Sequence, residues 1–251
     1  MNNYSVVICS KNIGNLTKCV GQLREMGETC RVIWVDDTSP GDAMDFDYTS
    51  AGCVVMPGAT PFVFARNCNI GIRAAGADDV VLLNDDALLR TPIGFRVLRH
   101  QFKHHPDFGA ICPSFTPGSV GTLNLVWSGR PSLAEEKVML VFACVYIPRS
   151  TIDKVGLLDE RFSINAGGPG ARGYGLEDDD YSLRIRQAHM KLGVYDGVLV
   201  DHVPQSTGLK STFRHDPEHP HDVRAHEELF RKIHGHWPEG HGYAPGKVKI
   251  I

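Results

Sequence analysis

Val80 to Leu89 reads VVLLNDDALL: an apolar run suited to the middle of a sheet stops at Asn84, Asp85 and Asp86, then turns apolar again. Two adjacent carboxylates repel, so their placement at a strand end calls for something positive beside them. Oxygen ligands there suit a hard divalent cation, and Mg2+ or Mn2+ held by one or two carboxylates completes its shell with water and substrate phosphates. A polar strand-to-loop junction uses the same residue types and is the plainer alternative. A second acidic run, Glu177-Asp178-Asp179-Asp180, follows Tyr174-Gly175-Leu176. Acids at a helix start serve its dipole and free amides, which accounts for one or two of the run. Consecutive positions fan out around a helix, so some must face inward if it packs on its Tyr181 and Leu183 side. A carboxylate aimed at a cleft beside a glycine-rich loop is a general-base candidate for an attacking hydroxyl.

The elements that must position these groups are legible in outline. Ser5 to Ser10 and Arg31 to Val35 read as strands. GCVVMPG holds a third, and VVLL leads into the aspartates. Asn15 to Met26 and Ala65 to Gly76 have helical spacing. This alternation implies parallel pairing with helices on the faces, where ligands gather at the carboxyl ends of strands. Asp36-Asp37 and Asp85-Asp86 should therefore open onto one edge. Further on, a helix is expected from Pro92 to about His104, a core strand over Val138 to Ile147, a helix over Glu177 to Leu192 and a strand in GVYDGVLVDHV. Ile164 to Gly175 carries five glycines in twelve residues and reads as a substrate loop. The chain divides into one catalytic domain, residues 1–205, with its halves meeting near residue 100. A His-rich extension, 206–251, carries one amphipathic helix near Val223 to His234.

Composition narrows the function classes. A net charge of −3 over 251 residues gives no general pull toward nucleic acid or anionic membrane. The seven cysteines are odd in number, scattered and without a C-x-x-C pair, as expected of reduced core residues in a cytoplasmic protein. The N-terminus lacks a signal-peptide pattern, and the longest apolar run, VMLVFACVYI, is half the length needed to span a bilayer. The C-terminal histidines, His215, His219, His221, His226, His234, His236 and His241, fit no standard zinc spacing and read mainly as a polar tail.

Taken in order, VVICSKN, VDDTS, ARN before VVLLNDDA, FACVYIPRSTIDKVGLLDERF, GLEDDDYSLRIRQ and VYDGVLVDHV resemble the family 2 inverting glycosyltransferases of GT-A fold, across Ser5 to Val203. GYGLEDDD is also similar to the glycine-aromatic-acid stretch of β-1,4-galactosyltransferases. The resemblance implies an α/β GT-A-type nucleotide-diphospho-sugar transferase fold with a mixed central sheet and helices on both faces. It also implies a nucleotide-sugar donor, an acceptor hydroxyl and an Mn2+ or Mg2+ cofactor. By position it assigns Asp37 to the nucleotide base, Cys9 and Ser10 to the donor side at the end of the first strand, and Arg66 and Asn67 to the nucleotide. Cys9 stands where a Thr is frequent, and Asn84 stands at the first Asp of the D-x-D motif. Asp86 then matches the metal-binding Asp, with Asp85 supporting sugar or metal, and His202 lies where relatives place a His near the metal. Asp178 matches the catalytic base, with Glu177 orienting an acceptor hydroxyl and Gly173, Tyr174 and Gly175 forming an acceptor loop.

Two other classes compete. A sugar-nucleotide pyrophosphorylase should open its first strand into a Gly-rich loop with Arg and Lys, whereas Ser10 to Asn15 has one glycine. A non-catalytic nucleotide-sugar binding module would have no use for Asp178. Asp37, able to accept a hydrogen bond from uracil, makes a uridine nucleotide the default donor. The acceptor is left open among glycan, lipid-linked sugar, protein, small molecule and modified nucleobase, because variable loops grip it.

Overall fold

A computed structural model of the chain describes residues 3–36, 52–59, 62–117, 127–162, 175–202 and 223–238. Its first half is built on β-branched runs: β1 (Tyr4–Ser10), β2 (Arg31–Asp36), β3 (Cys53–Pro57) and β4 (Asp79–Leu83). They pair in parallel in the order β3-β2-β1-β4. Val6, Val7 and Ile8 are all buried, as a parallel strand covered on both faces requires. α1 (Ile13–Glu25) links β1 to β2, its first turn capped by the Asn12 side chain accepting from Asn15 N at 3.0 Å. α2 (Phe64–Ala75) precedes β4 and buries Ala65, Cys68, Ile72 and Ala75, spaced three and four apart. Gly71 lets α2 approach β1 closely, since a Cβ there would lie 2.2 Å from Val7 Cγ1.

The second half departs from parallel pairing. β5 (Leu88–Leu89), α3 (Gly94–His104), β6 (Phe108–Phe115), β7 (Leu133–Glu136), β8 (Cys144–Ile147), α4 (Arg149–Val155), a 3-10 turn at Glu160–Phe162, α5 (Glu177–Gln187), β9 (Lys191–Asp201) and α6 (Val223–His234) follow in order. The sheet runs β3-β2-β1-β4-β8-β6-β9-β5, with β7 beside β9. β8 lies antiparallel to β4 and β6, whereas β6 and β9 are parallel. One face carries Ile8, Trp34 and Tyr146 under Leu16 and Leu23 of α1 and Phe95 and Leu98 of α3. The other carries Val7, Ile33 and Val145 under α2, Ile152 of α4 and Tyr181 and Ile185 of α5. The fold is therefore mixed α/β with helices on both faces, as expected.

Three local expectations need correction. The apolar stretch from Val138 is strand only at Cys144–Ile147. Met139, Leu140 and Phe142 are buried but irregular, with Leu140 N donating to Ser182 Oγ of α5 at 3.1 Å. Apolarity there reports burial, not conformation. The helix expected to reach Leu192 stops at Gln187, because His189 takes a left-handed φ of 60° and turns the chain so that Leu192 is buried in β9. β5 and β7 were not anticipated: they have two and four residues. Among the described residues no helix is long and apolar enough to cross a membrane.

Candidate active site

The C-terminal ends of β1, β2 and β4 bring Ser10, Asp36 and the Asn84-Asp85-Asp86 turn to one edge. Asn84 N donates to Ala143 O at 2.9 Å and Ala87 N to Asn84 O at 3.0 Å, closing a tight turn with the two aspartates at its centre. Their carboxylates separate. Ser10 Oγ donates to Asp85 Oδ2 at 2.6 Å, and Asn15 Nδ2 of α1 lies 3.5 Å from the same oxygen. Trp34 Nε1 in turn fixes the Ser10 carbonyl at 2.8 Å. Asp86 points instead to His202, whose Nε2 is 3.2 Å from Asp86 Oδ1. Each of the two neighbouring acids thus has its own partner, an imidazole beside Asp86 and hydroxyl and amide donors at Asp85.

His202 is buried just beyond β9, its ring centroid 6.1 Å from that of Phe115. The end of β9 is tied down beside it. Asp201 accepts from Thr116 Oγ1 at 2.5 Å and pairs with Arg90 at 2.6 Å. Burial alone would raise its carboxyl, but the Thr116 and Arg90 hydrogen bonds outweigh it and hold the group below its usual range. One carboxylate and one imidazole are donor types that Mn2+ accepts. Asp86 and His202, 3.2 Å apart, are therefore residues that could hold a divalent ion together with substrate and water. Among the described residues no group of three or more His, Cys, Asp or Glu side chains forms a protein-only metal cage.

α2 supplies a second wall. Arg66 Nε lies 3.2 Å from Glu160 Oε2, and Asn69 Nδ2 donates to Leu158 O at 2.9 Å and Glu160 Oε1 at 3.0 Å. The fully buried Asn67 accepts from Ala59 N at 2.8 Å. Arg66 and Asn67 thus fasten α2 to the 3-10 turn and to the segment after β3. Cys9 faces Cys68, with the sulfurs 3.8 Å apart. Asp37, Gly173 and Tyr174 lie outside the described residues.

The third wall is the start of α5. Leu176 takes a left-handed φ of 64°, and Gly175 N donates to Glu177 Oε2 at 2.6 Å. Glu177, Asp179 and Asp180 are buried, whereas Asp178 is half-buried. Burial pushes the Glu177 carboxyl up to about 7, against the lowering effect of the Gly175 amide. Burial, then the charges of Asp179 and Glu177, push Asp178 well above the ordinary carboxylate range. A carboxylate with raised proton affinity and partial access to solvent is equipped to accept a proton from a hydroxyl. Burial and then Cys9 raise the Cys68 thiol, and the Glu177 charge adds to this, so the start of α5 lies within electrostatic reach of α2.

Asp180 does structural work that spacing made only half legible. Arg184 Nε binds its Oδ2 at 2.8 Å, an i,i+4 pair, and His234 Nε2 of α6 meets its Oδ1 at 2.8 Å. Phe230 of α6 is buried against Phe162, Leu176 and Leu183. The tail is therefore not simply polar: α6 braces the turn that presents Glu177 and Asp178. The amphipathic pattern of Val223 to His234 signals such a face without naming what it packs on.

These elements define the class: a GT-A-type nucleotide-diphospho-sugar transferase fold, a mixed sheet with an acidic turn at its carboxyl edge. No family model matches the chain, and no curated protein does. Among solved structures it is similar to GalNAc-T7, a structure with UDP, GalNAc and Mn2+, at a TM-score of 0.65 and 14% identity over 83% of this chain and 45% of that one. It is also similar to residues 1–349 of S. aureus TarS in complex with UDP-GlcNAc, at a TM-score of 0.61 and 14% identity over 92% of this chain and 65% of that one. A second structure of TarS 1–349 gives 0.55 and 11% over 92% of this chain and 71% of that one. The chain thus spans just under half the length of the GalNAc-T7 chain.

Proposed function

We propose that the chain is a glycosyltransferase that moves a sugar from a nucleoside diphosphate, uridine by default, to an acceptor hydroxyl with inversion at the anomeric carbon. The observation that carries this reading is the pairing of two different acidic stations on one fold. Asp86 stands against His202 at 3.2 Å, and the half-buried Asp178 has raised proton affinity. A binding module would need the first and have no use for the second. Support also comes from the solved structures of this fold, whose ligands are UDP with GalNAc and Mn2+ in one case and UDP-GlcNAc in another.

Asp86 and His202 would hold Mn2+ or Mg2+. When bound, such an ion offsets the charge that builds on a departing diphosphate. Ser10, by gripping Asp85 at 2.6 Å, keeps the first aspartate of the turn oriented toward the donor side. Asp178 takes the proton of the acceptor hydroxyl as it attacks from the face opposite the leaving group. Glu177, anchored on Gly175 N, orients that hydroxyl.

Asp178→Asn tests the reading. Turnover should fall by about 10²- to 10⁴-fold, the usual contribution of a general base, while donor affinity stays. Thermal shift with a panel of nucleotide sugars should show stabilisation that needs Mn2+ or Mg2+ and that Asp86→Ala abolishes. Undiminished donor affinity in Asp86→Ala refutes the metal site. Absence of sugar transfer by the native chain, with metal-dependent donor binding intact, converts the reading to a binding module.

A further inference from the structure

The sheet and α2 bring two thiols together at the floor of the donor side. Val7 and Cys9 lie two apart on β1 and project to the same face. Cys68, Gly71, Ile72 and Ala75 form the facing stripe of α2. Because Gly71 allows α2 to sit hard against Val7, Cys68, one turn nearer the helix start, reaches Cys9 at the strand's carboxyl end. The sulfurs are 3.8 Å apart. Cys19 and Cys112 are buried beside the backbone carbonyls of Ala87 and Val141. Cys9 is half-buried, so a small oxidant has access to it, whereas Cys68 lies behind it at 2% exposure.

We propose that Cys9 and Cys68 are a dithiol oxidation site, closing to a reversible disulfide that disables the donor side. With hydrogen peroxide as oxidant, the Cys9 thiolate attacks one oxygen and the O–O bond breaks. This gives Cys9 sulfenic acid and a hydroxide, which takes up the proton Cys9 gave up. The Cys68 sulfur then attacks the Cys9 sulfur, forming S–S and breaking S–O, and the departing hydroxide takes the Cys68 proton. Two thiols and one peroxide become one disulfide and two waters, with two electrons passing to the peroxide. Burial keeps the Cys68 thiol protonated, which makes Cys9 the first attacker.

Closing the contact to about 2 Å draws the sulfurs together by nearly 2 Å. The movement falls between Ser10, which holds Asp85, and Arg66 and Asn67 on the first turns of α2. A displacement of 1 Å near a positioned reacting group can cost about 10²-fold in rate. The consequence for turnover rests on the glycosyltransferase reading; the disulfide itself does not.

The test treats the native chain with hydrogen peroxide and maps tryptic peptides without reduction. A cross-linked pair joining Met1–Lys11 to Asn67–Arg73 is expected, with two fewer titratable thiols, reversed by dithiothreitol. Cys68→Ala and Cys9→Ala should each lack the cross-link, and Cys112→Ala should retain it. Donor-dependent thermal stabilisation should fall at least tenfold in apparent affinity on oxidation of the native chain and return in full after dithiothreitol. Cys9 trapped as a sulfinic acid, or paired with any other cysteine, overturns the proposal. A cross-link that leaves donor affinity unchanged overturns the disabling role while the site stands. Absence of donor binding by the reduced chain, with the cross-link formed, overturns the transferase reading and that same role.

Discussion

Gly71→Ala probes the packing that brings α2 to the site. The added methyl would stand 2.2 Å from Val7 Cγ1, 3.0 Å from Cγ2 and 3.1 Å from Cβ. Ordinary contact requires α2 to retreat by roughly 1 Å, and overpacking of this kind costs about 1–3 kcal/mol. The interior of a helix favours Ala over Gly by about 1 kcal/mol. With a contact this short the upper end applies, leaving a net loss of about 2 kcal/mol. For a chain of this size that lowers Tm by about 4–8 °C. Val7→Ala removes both γ carbons and leaves only the 3.1 Å approach, so Val7→Ala/Gly71→Ala should be less destabilised than the sum of the two single variants. Thermal melts followed by circular dichroism supply the cycle. A Gly71→Ala chain as stable as the native one, or additive behaviour of the pair, would refute the close approach and with it the route by which Arg66, Asn67 and Cys68 reach the edge of the sheet.

Glu177, raised to about 7 by burial, binds more protons folded than unfolded between the ordinary Glu value near 4.3 and 7, so its contribution makes stability fall as pH rises through that window. Glu177→Gln should flatten the dependence of Tm on pH between 5 and 8, and an unchanged slope would count against the buried carboxyl. Phe230→Ala empties the contact with Phe162, Leu176 and Leu183, where loss of a buried Phe side chain costs about 3–5 kcal/mol. Amide exchange in α6 and at Leu176 should rise together, with turnover falling more than donor affinity; protection at Leu176 unaltered by the change would show that α6 does not brace that turn.

How far the site was readable follows from the length of each signal. VVLLNDD announced both a buried strand and an acidic turn at its end, because burial and the chain reversal each leave a local compositional trace. The i,i+4 spacing of Asp180 and Arg184 is an equally local signal, though the pair emerged only in the structure. The resemblance put Asp86 and His202 near one metal, but that Ser10 holds Asp85 was not readable, since the two are separated by many residues and meet only where strands align. β5 and β7 were too short to carry a period of their own, and β7 exists because β9 offers it an edge.

The sequence by itself determined the alternating strands and helices of the first half, the carboxylates at their ends and the amphipathic face of α6. Periodicity and turn chemistry act over a few residues and need no partner. Tertiary structure alone decided which carboxylate meets which donor, that α6 packs on the start of α5, and that Cys9 faces Cys68. Those outcomes depend on strand order, register and the approach distance of helix to sheet, set by how the whole core closes on itself.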